Sequence, residues 1–345
     1  MKKHTGIFLL IFTAAFFAAG IPLGHAAEKA YKIRLSLYWP PQHHLVKASY
    51  HLAKCVQERT KGKLIVEVYP SGQLYSQKES LKAVSMGTIE MSDELMMRAD
   101  VIDPIFSLDT NNEGILTTYE MGWAFLDHPV YRRILDEAFA RKLGVKPVMQ
   151  LSSATMNLLT NSKRPIQRPA DMKGLLIRAS SKASAERIEI LGAKSVIMPS
   201  DEQIMALERK TVDGAWTSLG DGVARRIWEV QKYGSVFQTY MILHPFLINM
   251  KFWNHLPADL RKEFEACCQT AQAYGRKLLE DEEKELLATL KSNMEVYVMG
   301  SEDVPEWEKF YGPLVERWLQ KTGEKGKELR ELMFKIRQEK LANKK

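Results

Sequence analysis

Between Lys163 and Ser218 an arginine, a serine and an aromatic residue each stand where an apolar run gives out, and these are the residues of the chain best placed to do chemistry. Leu175, Leu176 and Ile177 lead into Arg178; Val196 to Met198 lead into Pro199 and Ser200; a third run leaves through Ala215, Trp216 and Thr217. A guanidinium is planar, permanently charged and forked toward two oxygens, so Arg178 suits a carboxylate. Strand ends are where open α/β sheets hold ligands, so these three ends predict one binding rim.

A second wall is expected from the N-terminal half. Tyr38, Trp39, His43 and His44 follow one strand-like run, and Ser92, Asp93 and Glu94 follow another. Asp93 or Glu94 can accept from a ligand hydroxyl or amine, and each reads equally well as a surface carboxylate. The two histidines lack the ligand spacing of a metal motif, so a helix-start role is the commoner reading and no metal is expected.

These residues need positioning elements, and the hydrophobic pattern supplies them twice. Lys32 to Tyr38 and Lys63 to Tyr69 alternate apolar with polar residues, while Leu45, Leu52, Cys55 and Val56 keep a helical period between them. A helix near Gln77 follows, carrying Leu81 and Val84, and then a strand over Ile89 to Ser92. The same rhythm returns with helices over Ala185 to Leu191 and from Asp201, whose acidic first turn suits a helix N-terminus. The halves share element order but not sequence, which predicts an α/β protein of two similar domains. A length of 345 residues agrees with about two domains of roughly 150 each.

The first 26 residues carry Lys2 and Lys3, an apolar run from Ile7 to Ile21, then Pro22, Gly24 and Ala26. This pattern predicts a cleavable secretory signal and a periplasmic protein; the run is shorter than the ~20 residues of a membrane anchor. Cleavage takes the formal charge from +7 to +5. That mild basicity favours anionic ligands or a membrane surface. Lysines and arginines alternate with acids, and no nucleic-acid-binding module is present, so nucleic acid is not an expected partner. Three cysteines set no disulfide framework: Cys55 can bridge to Cys267 or Cys268 in an oxidising compartment, or all three are idle thiols.

From Pro257 to about Leu290 the pattern stays helical, with an apolar stripe through Leu260, Phe264, Cys267, Ala271, Tyr274 and Leu278. A rod of roughly 50 Å is longer than one small domain and is expected to brace both. Strand-like runs at Leu247 to Met250 and Glu295 to Met299 make the chain cross several times, which predicts a hinge. The expected division is domain I over 27–155 with 244–283 returning to it, and domain II over 156–243 with 284–345 packing on it.

Several segments carry a resemblance: ERTKGKLIVEVYPSGQL from Glu58, KAVSMGTIEM from Lys82, RPADMKGLLIRAS from Arg168, LGAKSVIMPS from Leu191, ALERKTVDG from Ala206 and NMKFWNHLPADL from Asn249. In this order and spacing the chain resembles the solute-binding subunits of tripartite ATP-independent periplasmic (TRAP) transporters. The resemblance covers nearly all of the mature chain. It implies a two-domain periplasmic binding protein, a clamshell with a long bracing helix, that passes a small organic acid to a small and a large membrane subunit and needs no cofactor. It also implies that Arg178, ending the strand after Asp171-Met172-Lys173-Gly174, pairs with the substrate carboxylate, and that Arg164 matches a second basic position of some members.

The chain departs from the family where specificity is written. Many relatives have Gln-Glu-Asn where this chain has Ala215, Trp216 and Thr217, and often Phe where it has Ser200. An indole in place of polar groups suggests a monocarboxylate with an aromatic or apolar body, or a 2-oxo acid, ahead of a C4-dicarboxylate or sialic acid; Trp216 also reads as core packing. A secreted enzyme is the reading from another class, but no nucleophile elbow, P-loop or G-x-G-x-x-G occurs. A periplasmic ligand sensor for a signalling partner fits the same features.

Overall fold

The computed structural model describes residues 30–342 except 113, 238–240 and 301–302; the expected signal segment lies outside these residues. Two mixed sheets carry the architecture. The first contains β1 (Tyr31–Ser36), β2 (Leu64–Tyr69), β3 (Met91–Asp93) and β4 (Val145–Ser152). The second contains β5 (Asn157–Asn161), β6 (Leu176–Ala179), β7 (Lys194–Ile197), β8 (Gly214–Ser218) and β9 (Tyr233–Phe237). Strand β10 (Leu243–Asn249) returns to the first sheet, giving the order β2-β1-β3-β10-β4, and β11 (Glu295–Val298) joins the second, giving β11-β9-β5-β8-β6-β7.

Within the first sheet β1 runs parallel to β2 and β3, while β10 lies antiparallel between β3 and β4. Within the second, β6 is parallel to β7 and β8, and β5 is antiparallel to β8 and β9. Parallel neighbours align their carboxyl ends, so β1 and β3 of one sheet and β6, β7 and β8 of the other each present a row of exits. Gly214 opens β8 because a side chain cannot fit there: a Cβ would stand 1.8 Å from the Thr160 carbonyl oxygen on β5.

The first helix, His44–Arg59, illustrates how the elements are set. His43 caps it by accepting from the Leu45 N–H through Nδ1, and Leu45, Ala48, Leu52 and Val56 form the buried ridge. It stops at Thr60, where Lys61 and Gly62 turn the chain with φ of 52° and 78°. The ridge packs on the long helix Ala258–Asn293, whose 36 residues give a rod of about 54 Å. A disulfide joins Cys55 of one helix to Cys267 of the other, and Cys268 is a buried free thiol.

The long helix serves both sheets. Phe264, Cys267 and Ala271 sit in the core of the first, and Leu286, Leu287 and Leu290 pack into the second. The segment expected to pack on the second domain alone, 284–345, divides instead. Its terminal helical stretch Val304–Ala342 is broken at Gly323. Trp307, Tyr311 and Leu314 join the core of the second sheet, whereas Trp318, Leu329, Leu332, Met333 and Ile336 join that of the first. The apolar stripe is the same along the stretch, so sequence periodicity could not say which partner each turn meets.

Candidate functional site

Arg178 is the largest side chain fully buried in the protein, with 1% of its surface exposed. It lies inside β6 and not beyond it, one residue from the strand's end. Its Nε donates to the Met198 carbonyl at 2.9 Å, Nη1 to the Trp216 carbonyl at 3.0 Å and Nη2 to Ser200 Oγ at 3.2 Å. The guanidinium thereby ties together the exits of β6, β7 and β8. Of its five N–H donors one remains on each terminal nitrogen, the arrangement that grips a carboxylate end-on. Burial pulls its pKa down to about 10, with Asp221 acting in the opposite sense, so it is a cation at neutral pH.

The cavity beside Arg178 has a volume of about 30 Å3 and is lined from both sheets. Ser200, Trp216 and Thr217 join Arg178 from the second sheet; Tyr38, Trp39 and His244 face them from the first. Trp216 is at once wall and core. Its indole stacks on Phe237 at 5.5 Å, the Arg187 guanidinium lies 4.3 Å from the indole ring, and it has 5% of its surface exposed. The Thr217 hydroxyl donates to Asp221 at 2.9 Å, and Asp221 also accepts from Arg225 Nε at 2.6 Å.

On the facing wall the expected carboxylates separate. Asp93 accepts from Trp39 Nε1 at 2.5 Å and from His244 Nδ1 at 3.0 Å, so it holds wall residues without lining the cavity itself. Glu94 does not line the cavity. It accepts from Ser92 Oγ at 2.7 Å, and burial raises its pKa to about 8. His43 stacks beneath Trp39 at 4.1 Å and caps its helix; burial holds its pKa well below the usual imidazole value. His44 is buried against the Ser152 carbonyl at 2.9 Å, and burial lowers its pKa to about 4.

Arg164 belongs to a different place. Its Nε and Nη2 donate to the Asp171 and Lys173 carbonyls at 2.9 and 2.5 Å, in the loop before β6, so it fastens that loop at the strand end away from the cavity. His244 was not a sequence candidate. It stands early in a strand whose antiparallel insertion beside β3 no local pattern announces, and only that pairing brings it to Asp93.

Polar contacts span the two sheets around the cavity. Arg98 Nη1 donates to the Ser180 carbonyl at 2.9 Å, the Ala183 N–H to Asp100 at 2.7 Å, the Ser200 N–H to Gln77 Oε1 at 2.7 Å and Arg225 Nη2 to the Tyr38 carbonyl at 3.3 Å. A larger groove of about 800 Å3 lies between Lys163, Trp228, Lys232 and Glu295 on the second sheet's far side. Arg178 takes no part in it.

Two sheets joined by several crossings and a cation buried between them define a bilobal solute receptor. Residues 35–322 match the family described as bacterial extracellular solute-binding protein, family 7, and the chain belongs to that family. Its members are substrate-binding proteins of transport systems of the TRAP type and not enzymes. The C4-dicarboxylate-binding periplasmic protein DctP of Rhodobacter capsulatus is 24% identical over 319 residues, covering 90% of this chain and 92% of that one. Among solved structures, the sugar acid binding protein DctPAm of Advenella mimigardefordensis, in complex with galactonate, superposes with a TM-score of 0.84 at 23% identity. That match covers 89% of this chain and 99% of the other. DctP7 of Bordetella pertussis, which binds pyroglutamic acid, gives 0.82 at 21% identity over 88% and 99%. No helix among the described residues is long and apolar enough to cross a membrane.

Proposed function

We propose that this protein is a periplasmic receptor that captures a small organic carboxylate on Arg178, closes its two domains around it and delivers it to the membrane subunits of a TRAP transporter. The observation that carries the reading is the charge of Arg178. Among the described residues no carboxylate lies within ion-pair distance of this buried guanidinium, and a buried cation is strongly favoured by an anion that completes it. Relatives that bind C4-dicarboxylates, galactonate and pyroglutamate support an acid as the solute.

The walls favour one carboxylate over two. Trp216 offers an indole for an apolar or aromatic body, and Asp93 behind the facing wall opposes a second negative charge. A monocarboxylate, such as an aromatic or a 2-oxo acid, is therefore preferred to succinate or malate. The crossings at 153–156 and 238–242 and the shared long helix are the elements of a hinge, with domain I and domain II turning about them. Export by the segment 1–26 places the receptor in the periplasm.

Mass spectrometry of the supernatant from denatured, freshly purified protein tests the reading by identifying what it carries. A bound organic acid, with a radius of gyration that falls on adding that acid to stripped protein, is expected. Failure of a broad panel of carboxylic acids to raise the melting temperature would overturn the assignment.

A further inference from the structure

The cavity holds one polar group that carboxylate capture by Arg178 leaves without a task. His244 is 1% exposed, lines the cavity, and its Nε2 has no hydrogen-bond partner. The other ring nitrogen is committed: Nδ1 lies 3.0 Å from Asp93 Oδ1, while Asp93 Oδ2 accepts from Trp39 at 2.5 Å. A carboxylate accepts and does not donate, so Nδ1 carries the hydrogen and Nε2 the lone pair. Trp39 meets the imidazole edge-on at 5.3 Å and Tyr38 lies 6.3 Å away, which fixes the ring's plane as well as its tautomer.

The neighbouring imidazoles are already used in other ways. His43 spends its accepting nitrogen on the Leu45 N–H, and His44 gives its Nε2 hydrogen to the Ser152 carbonyl. His244 alone in this cluster keeps a buried acceptor turned to no protein donor. An acceptor in that position is costly unless something donates to it, and an occupant of the cavity is what can.

We propose that His244, oriented by Asp93, is a second anchor for the solute and selects, among small carboxylic acids, those with a hydroxyl or amide N–H near the carboxylate. The proposal rests on carboxylate capture at Arg178 and narrows it. A 2-oxo group brings only lone pairs to face the Nε2 lone pair, leaving both unpaired, and a site built around a hydrogen bond discriminates most strongly against the analogue that cannot make it. The 2-oxo acids are thereby moved behind their 2-hydroxy counterparts and behind lactam acids.

The test is calorimetric titration of the mature chain with matched 2-hydroxy and 2-oxo acids of increasing side-chain size, together with pyroglutamate. Wild type should bind the hydroxy or lactam member at least about tenfold more tightly than the oxo member, a difference of one full hydrogen bond. His244→Phe should bring the two within about threefold while still binding acid, whereas Arg178→Ala loses both. Equal or tighter binding of the oxo acids by wild type, or a preference that survives in His244→Phe, overturns the proposal. If wild type binds no carboxylic acid, carboxylate capture itself fails and the proposal goes with it. Should His244→Phe not fold, nitrogen-15 NMR of histidine-labelled wild type decides: the unprotonated His244 Nε2 resonance must move on adding the preferred acid, and an unchanged resonance at saturation sinks the idea.

Discussion

Glu283 and Thr155 are joined twice. One carboxylate oxygen of Glu283 accepts from the Thr155 hydroxyl at 2.7 Å, and the other accepts from the Thr155 N–H at 3.1 Å and the Met156 N–H at 2.8 Å. Thr155 and Met156 are the backbone that leaves β4 for β5, so the long helix grips the chain at the point where it passes between sheets.

Burial raises the pKa of Glu283 to about 7, against an opposing effect of the two N–H donors. Burial likewise raises Asp109 to about 7 and Glu94 to about 8. A carboxyl whose folded pKa lies above its unfolded value holds its proton better when folded, so its stabilisation is present at low pH and is lost as pH rises through the folded value. His43 and His44, lowered by burial, act in the opposite sense, but only below their unfolded value of about 6.5. The melting temperature should therefore fall between about pH 6.5 and 8. In Glu283→Gln, which keeps an accepting oxygen for both N–H groups and donates to the Thr155 hydroxyl, that fall should be smaller. A variant whose fall matches wild type would remove Glu283 from the account.

Replacing Arg178 with Ala should weaken binding of the cognate acid by at least about 30-fold, since a desolvated charge pair that loses one partner costs about 2–5 kcal/mol. Arg178→Lys keeps the charge but not the fork, and should fall between the two. Circular dichroism must accompany the titration, because the same side chain holds three strand ends.

Trp216→Ala should cost about 3–5 kcal/mol of stability by opening a hole beside Phe237 and removing the surface on which Arg187 lies. Chemical denaturation measures it. A loss below about 1 kcal/mol would show that the indole is not the core element its burial indicates.

Thiol titration of the denatured, unreduced protein should find one reactive cysteine, Cys268. Changing Cys55 and Cys267 to Ser together should lower stability by about 2–5 kcal/mol, read from denaturant midpoints.

Much of this architecture was legible because it is written in local periodicity. The alternation at Lys32 to Tyr38, the stripe through Leu260, Phe264 and Cys267, and the exits at Arg178 and Ser200 all register in a few consecutive residues. What pairing at a distance decides was not legible. Strands β4, β5 and β9 gave no reading of their own, and β10 lies antiparallel between β3 and β4, so His244 has no sequence signal linking it to Asp93. Arg164 fails for a related reason: a basic residue beside a proline looks the same at either end of a strand, and its hydrogen bonds put it at the end away from the cavity.

Arg178 has a double duty whose consequence reaches past a single ligand. The group that reads the solute's charge is also the rivet for three strand ends, so it cannot be exchanged to suit a new solute without loosening the lobe that carries it. A receptor built this way has a fixed half and an editable half. New tastes must be written on the opposite face, at Tyr38, Trp39 and His244, where a side chain can change while the rivet stays in place.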